Sequence, residues 1–158
     1  MIEQTWTVES AVARDLPGIN RVIAAAISVW TISDRVKRLA LPLYHYELAD
    51  LEYLQIEKAV DSLGTIVGVI AWGTAGPEDT LGREGEVLLH GVYVAPAYQG
   101  QGLGKALLEH ARKQAEQCGY RGFIIKASKD AVRFFENLGG TREEHAQNQY
   151  PRLFWLPF

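Results

Sequence analysis

The sequence predicts a mixed α/β (α+β) fold: a central twisted, mostly antiparallel sheet of about seven strands with helices on both faces. Three observations predict it. Short runs rich in β-branched and aromatic residues recur between turn-forming residues. Other segments repeat apolar residues at helical spacing. The order reads β, α (α), β, β, β, α, β, α, β, β, with antiparallel neighbours first and a β–α–β–α unit after them.

Residues 5–10 alternate Trp6 and Val8 with polar neighbours and predict a first strand. Asp15-Leu16-Pro17 reads as a helix start, since Asp15 can accept from free N–H groups and Pro is tolerated in the first turn. Leu16, Ile19, Ile23, Ile27 and Trp30 then form one apolar stripe. Residues 33–54 are aromatic and interrupted by Pro42, and predict one or two short helices. Residues 54–60 and 65–73 predict a hairpin around the turn Asp61-Ser62-Leu63-Gly64. Residues 74–85, rich in Gly, Pro and charge, predict an exposed loop before a third strand, 86–94. A helix is expected over 103–118, with Leu107, Leu108, Ala111, Ala115 and Cys118 on one face and Gly119 at its end. Residues 123–127 suit a short buried strand, and Ser128 can cap a helix carrying Ala131, Phe134, Phe135 and Leu138. Residues 141–145 and 152–158 are the last strand candidates.

Bulk numbers narrow the function. The 158 residues read as one domain, 1–158, large enough to bury a core without disulfides or a structural metal. Sixteen Lys and Arg against nineteen Asp and Glu give a net charge of −3, which argues against a sequence-independent nucleic-acid binder. The single cysteine, Cys118, excludes an intrachain disulfide and fits a cytoplasmic protein. The four His show no zinc spacing, so no metal is expected. No apolar run is long enough to span a bilayer, and the N-terminus lacks the pattern of a signal peptide, so no membrane partner is expected.

The fifteen glycines matter through their placement. Val92-Tyr93-Val94-Ala95-Pro96-Ala97-Tyr98-Gln99-Gly100-Gln101-Gly102-Leu103-Gly104-Lys105 reads strand, loop, helix N-terminus. Glycine admits positive φ and lets a ligand approach bare N–H groups. The first helical turn leaves N–H donors unpaired at the positive end of the macrodipole. Together these make an anion site suited to a phosphate or pyrophosphate, to which Lys105 adds charge. The glycine spacing fits neither the dinucleotide fingerprint nor the P-loop.

Gln99-Gly100-Gln101-Gly102-Leu103-Gly104 resembles the Q/R-x-x-G-x-G/A signature of the GNAT family of N-acetyltransferases. The preceding Val92-Tyr93-Val94-Ala95-Pro96, the Asp15-Leu16-Pro17 start, Ile66-Val67-Gly68 and the element order extend the resemblance over nearly the whole chain. It implies a GNAT-like acyl-CoA acyltransferase fold and acetyl-CoA as co-substrate. By resemblance, the N–H groups of Gln99, Gly100, Gln101, Gly102, Leu103 and Gly104, with Lys105, would hold the pyrophosphate. The pantetheine arm would pair along Val92, Tyr93 and Val94, with the N–H near Val92 as an oxyanion donor, and Ser128, Ala131 and Phe134 would flank the cofactor.

Amide formation needs a neutral amine, and an alkylamine with a pKa near about 10 requires a base. Period-two alternation puts Glu86, Leu88, His90, Val92 and Val94 on one face of the strand. His90 and Glu86 are therefore the candidate bases, separately or as a water-linked pair. Many relatives carry a tyrosine as general acid in the last helix; this sequence has Phe135 there, with Ser128 for the usual Asn and Gly140 for the usual Phe. Tyr93, Tyr98 and Tyr150 are substitute hydroxyls, and a CoA-binding module without catalysis is the alternative reading. The acceptor, a small-molecule or peptide amine, is expected near 30–53 and 145–158, where Tyr44, His45, Tyr46, Tyr150, Phe154 and Trp155 supply either an aromatic wall or core packing. The apolar tail 153–158 either closes the sheet or pairs across a homodimer.

Overall fold

The computed structural model describes residues 6–77, 79–127, 129–143 and 153–158. The strands are β1 (Trp6–Ser10), β2 (Gln55–Asp61), β3 (Ile66–Gly73), β4 (Glu86–Val94), β5 (Gly122–Lys126), β6 (Thr141–Glu143) and β7 (Leu153–Pro157). The helices are α1 (Leu16–Ser28), α2 (Asp34–Tyr44), α3 (Asp50–Tyr53), α4 (Leu103–Gln117) and α5 (Val132–Asn137). The strands form one sheet in the order β1-β2-β3-β4-β5-β7-β6. Pairing is antiparallel for β1–β2, β5–β7 and β6–β7, and parallel for β4–β5. The tail strand β7 pairs on both sides, with β5 and β6, so it closes the sheet as one of the two expectations held.

The chain groups into two compact units, Met1–Ala71 with Gly91–His110, and Trp72–His90 with Ala111–Phe158. In the first, Ile19, Val22, Ile23, Ala26 and Ile27 of α1 are buried against Ile56, Val69, Ala71 and Tyr93. The predicted stripe is the core face of this helix. Gly68 serves α4: a Cβ there would come within 2.9 Å of Leu107 and 3.2 Å of Leu103. A side chain at 68 would push the helix away from the sheet. In the second unit, Phe123, Ile124 and Ile125 of β5 are buried, with Phe158 edge-on to Phe123.

Several local expectations are corrected. Asp15 does not cap α1; its carboxylate accepts from Val12 N–H at 2.8 Å and pairs with Lys58 at 2.8 Å. The segment 33–54 forms two short helices as expected, but Pro42 is not the break between them: it lies inside the last turn of α2, where Pro removes one N–H and the helix ends two residues later. The α2 start is capped by Ser33, whose hydroxyl accepts from Val36 N–H. Cys118 falls just past α4 and is exposed, because Gly119 at φ +91° turns the chain away. The loop 74–85 is not exposed throughout: Asp79 is buried and pairs with Lys126. The proposed Ser128 cap and the outer parts of 141–145 and 152–158 lie outside the described residues.

Candidate active site

The glycine-rich segment is built as a braced loop feeding α4. Gly100 (φ +77°) and Gly102 (φ +85°) take the left-handed conformation that favours glycine. Among the described residues, no atom beyond the chain neighbours lies within 4 Å of where their Cβ atoms would sit. The first helical bond runs from Ala106 N–H to the Gly102 carbonyl at 3.0 Å, so the N–H groups ahead of it have no acceptor within the helix. The glutamines hold the turn: Gln99 Nε2 donates to the Val94 carbonyl at 3.2 Å and Gln101 Nε2 to the Ala97 carbonyl at 3.1 Å. Tyr98 N–H donates to the Ala95 carbonyl at 2.8 Å, and Tyr98 O–H reaches Asp61 Oδ2 at 3.4 Å. Ala95 N–H ties the loop base to the Val67 carbonyl at 2.9 Å. Leu103 is fully buried and fixes the helix start, Gly104 is half-buried, and Lys105 is exposed. The bracing role of both glutamine amides was not foreseen; residue type alone does not show where an amide points.

On β4, Val87, Leu89 and Tyr93 are buried. Glu86, Leu88, Val92 and Val94 are half-buried, and His90 is exposed. The predicted common face is the accessible one. The β4–β5 ladder runs from Glu86–Gly122 to Leu89–Ile125, while β4 continues to Val94. Tyr93 points to the opposite face, into the α1 core, so it offers the accessible face only its backbone. Burial, with a smaller contribution from Tyr44, pushes its hydroxyl well above the usual tyrosine pKa. It keeps its proton and is a poor acid.

The two candidate bases are held very differently. The Glu86 carboxylate accepts from Leu81 N–H at 2.9 Å, from Arg83 N–H at 3.1 Å and from the Thr80 hydroxyl. The same loop is tied by Arg83, whose guanidinium meets Glu143 and lies 5.1 Å over the Trp155 ring. Arg121 N–H donates to the Gly85 carbonyl at 2.7 Å. Glu86 is thus the anchor of the 80–83 turn. His90 lies four residues along the strand, about 13 Å away at roughly 3.3 Å per residue.

Phe135 is buried between Phe134 and Phe154, with ring centroids 5.1 and 6.5 Å away. Its ring belongs to the core and carries no hydroxyl. Ala131 and Phe134 are half-buried at the start of α5, while Ser128 and Tyr150 lie outside the described residues. In the aromatic segments, Tyr46 and Phe154 are core residues. Asn20 fixes the first by donating to the Tyr46 carbonyl at 2.9 Å and accepting from Tyr46 N–H at 2.8 Å. Tyr44 is 37% exposed, edge-on to Trp30 at 5.5 Å and to Tyr93 at 6.4 Å.

The family model of the acetyltransferase (GNAT) family matches residues 19–139, and the chain belongs to that family. A segment is 36% identical over 66 residues to the histone acetyltransferase TAP1 of Glycine max, covering 42% of this chain and 27% of that protein. Another is 35% identical over 69 residues to the [ribosomal protein bS18]-alanine N-acetyltransferase of Escherichia coli, covering 42% of this chain and 47% of that protein. The matches thus span less than half the length of these curated relatives. The fold is that of the PaiA N-acetyltransferase of Thermoplasma acidophilum in complex with coenzyme A, with a TM-score of 0.80 at 14% identity, covering 98% of this chain and all of that one. No described helix is long and apolar enough to cross a membrane.

Proposed function

We propose that residues 1–158 act as a single domain, a cytoplasmic acetyl-CoA-dependent N-acetyltransferase that moves the acetyl group to a primary amine by direct attack on the thioester. The observation that carries this reading is the braced loop with Gly100 and Gly102 both at positive φ over open space at the start of α4. Apart from Gln99, whose N–H donates to the Pro96 carbonyl at 3.3 Å, it presents N–H groups with no acceptor in the helix at the positive end of a 15-residue helix, which suits a pyrophosphate.

In this reading the N–H groups of Gly100, Gln101, Gly102, Leu103 and Gly104 hold the pyrophosphate, Gln99 joins them by releasing the Pro96 carbonyl, and Lys105 adds charge. The pantetheine arm runs along Val92, Tyr93 and Val94, past the last β5 pair of β4. The N–H at Val92 donates to the carbonyl oxygen as the amine attacks. His90 takes the proton of the attacking amine; its exposure on the face of β4 that carries Val92 and Val94 supports this. The thiolate leaves unassisted, since a thiol pKa of about 8.5 makes it a tolerable leaving group near neutral pH. The proton gained by His90 then returns to it through water. The acceptor is a small-molecule or peptide amine.

The test is thiol release from acetyl-CoA across an amine panel, with wild type beside Glu86→Gln and His90→Ala. The reading expects turnover on some amine and its collapse in His90→Ala. CoA binding with no turnover on any amine would favour the non-catalytic module, whose support is the missing hydroxyl at Phe135.

A further inference from the structure

The exposed apolar surface is concentrated on one element. Among the described residues, seven of the nine exposed large hydrophobics lie between Val29 and Tyr53. Four of them are on α2; leaving Tyr44 aside, Val36 is 48%, Leu39 67% and Leu43 83% exposed. Their i, i+3, i+7 spacing makes them one stripe. The helix has a separate inward face at 37, 41 and 44. Lys37 donates to the Ser28 carbonyl at 2.7 Å, Leu41 packs against the α1 core, and Tyr44 meets Trp30. The outer stripe is therefore a second apolar face, beyond what packing on α1 requires. Such a surface is informative where a single exposed Leu is not.

Charge marks what would cover it. Helix α2 carries Arg35, Lys37 and Arg38 against Asp34 alone, a local net charge of +2 in a chain of net −3. By helical periodicity Arg38 and Arg35 lie between the outer stripe and the α1–α2 groove. That groove has a volume of about 320 Å³ and is lined by Ala24, Ile27 and Leu41 with Asp34, Lys37 and Arg38; Asp34 pairs with Lys37 at 3.9 Å, which leaves Arg38 as the net positive charge of the lining. Apolar stripe, two exposed arginines and cationic groove thus run side by side around one helix.

We propose that the outer face of α2 with the α1–α2 groove is a docking surface for an acidic amphipathic polypeptide segment of another protein. Its apolar side chains cover Val36, Leu39 and Leu43, and its carboxylates pair with Arg35 and Arg38. Arg favours carboxylates through its planar fork of donors. A second copy of this chain is a poorer occupant, because like helices would bring the two arginine pairs together.

The probe is a fluorescein-labelled peptide of repeating Leu-Glu-Glu-Leu units, with a Leu-Lys-Lys-Leu counterpart, read by anisotropy against the full chain without CoA. The proposal expects the acidic peptide to bind and the basic one not to. Binding should weaken about tenfold or more in Arg35→Glu/Arg38→Glu and in Leu39→Glu/Leu43→Glu, the order expected for hot-spot residues. Rising salt should weaken it further. All four positions are exposed, so unchanged circular dichroism is expected in both variants. Equal affinity in both variants, or equal binding of the basic peptide, would overturn the proposal. So would sedimentation with anionic phospholipid vesicles that both variants lose while the peptide fails to bind. A concentration-dependent dimer lost in Leu39→Glu/Leu43→Glu, again without peptide binding, would assign the face to self-association instead.

Discussion

Replacing Gly102 with Ala separates the conformation of the loop from its sterics. A Cβ at Gly102 meets no described atom within 4 Å, so the added methyl causes no clash. The cost lies in the backbone: at φ +85° an L-residue is disfavoured by roughly 1–2 kcal/mol. Two limits follow. If the loop relaxes when free, coenzyme A must restore the strained form, and its affinity falls roughly 5–30-fold. If the loop cannot relax, the same energy lowers stability, and Tm falls by roughly 2–8 °C. Calorimetric titration with coenzyme A and thermal melts read the two shares together. Gly64, at φ +83° in the β2–β3 turn and equally open, is the matched control. Gly64→Ala carries the same backbone cost and is expected to lower Tm alone. Gly102→Glu, which sets a carboxylate where the pyrophosphate is proposed, is expected to weaken binding at least tenfold. Wild-type affinity and Tm in Gly102→Ala, or an equal loss of affinity in Gly64→Ala, would refute the reasoning.

His90→Ala is expected to lower kcat by roughly 10²–10⁴-fold with little change in the KM for acetyl-CoA, measured by steady-state thiol release. Glu86→Gln is expected to loosen the 80–83 turn, read as faster amide exchange of Leu81 and Arg83, with a smaller fall in kcat. Asp15→Asn leaves the mostly buried Lys58 with Glu9, 3.7 Å away, as its one carboxylate among the described residues, and should cost about 3 kcal/mol at pH 7 in urea denaturation. Burial raises the Asp15 pKa, but the bonds from Lys58 and Val12 N–H and the charges of Lys58 and Arg14 outweigh it and leave it lowered. That stabilisation is complete above the unfolded carboxyl pKa of about 3.9 and is lost as pH falls through the lower folded value, so the gap between wild type and Asp15→Asn should close in acid. Phe135→Tyr buries a hydroxyl beside Phe154 and should cost about 1–3 kcal/mol without raising kcat; a gain in kcat would show that the hydroxyl reaches the sulfur.

The elements most legible in the sequence were those with a strong local signal. Strand β4 begins and ends where the alternation does, and α1 buries the stripe that its spacing marks. The turn glycines at 64, 100, 102, 119 and 139 adopt the positive φ that their context suggests, whereas Gly104, the third of the alternate glycines, lies within α4 and does not. What stayed hidden depends on partners distant in the chain. Glu57 is 1% exposed on β2, with Ser10 Oγ at 3.4 Å and His110 Nε2 at 3.8 Å, yet it reads in sequence as an ordinary surface carboxylate. Lys58 beside it is buried on the other face of the strand because Asp15, some forty residues earlier, supplies its counter-charge. Asp79 reads in sequence as part of a solvated loop, yet it is buried against Lys126 of β5. Glu86 shows the same limit at the site itself. Its position on the accessible face was foreseen, but its engagement by Thr80, Leu81 and Arg83 depends on the path of a loop that carries no periodic signal.

The central claim is that the N–H groups of Gln99, Gly100, Gln101, Gly102, Leu103 and Gly104 receive the pyrophosphate of coenzyme A while the N–H groups of β4 receive its arm. Titration of the ¹⁵N-labelled chain with coenzyme A, followed by amide chemical shifts, tests it most directly. The account predicts the largest shifts at Gly100, Gly102 and Gly104, with a second group at Val92 and Val94. Saturable binding that leaves those five amides in place and moves others would contradict it.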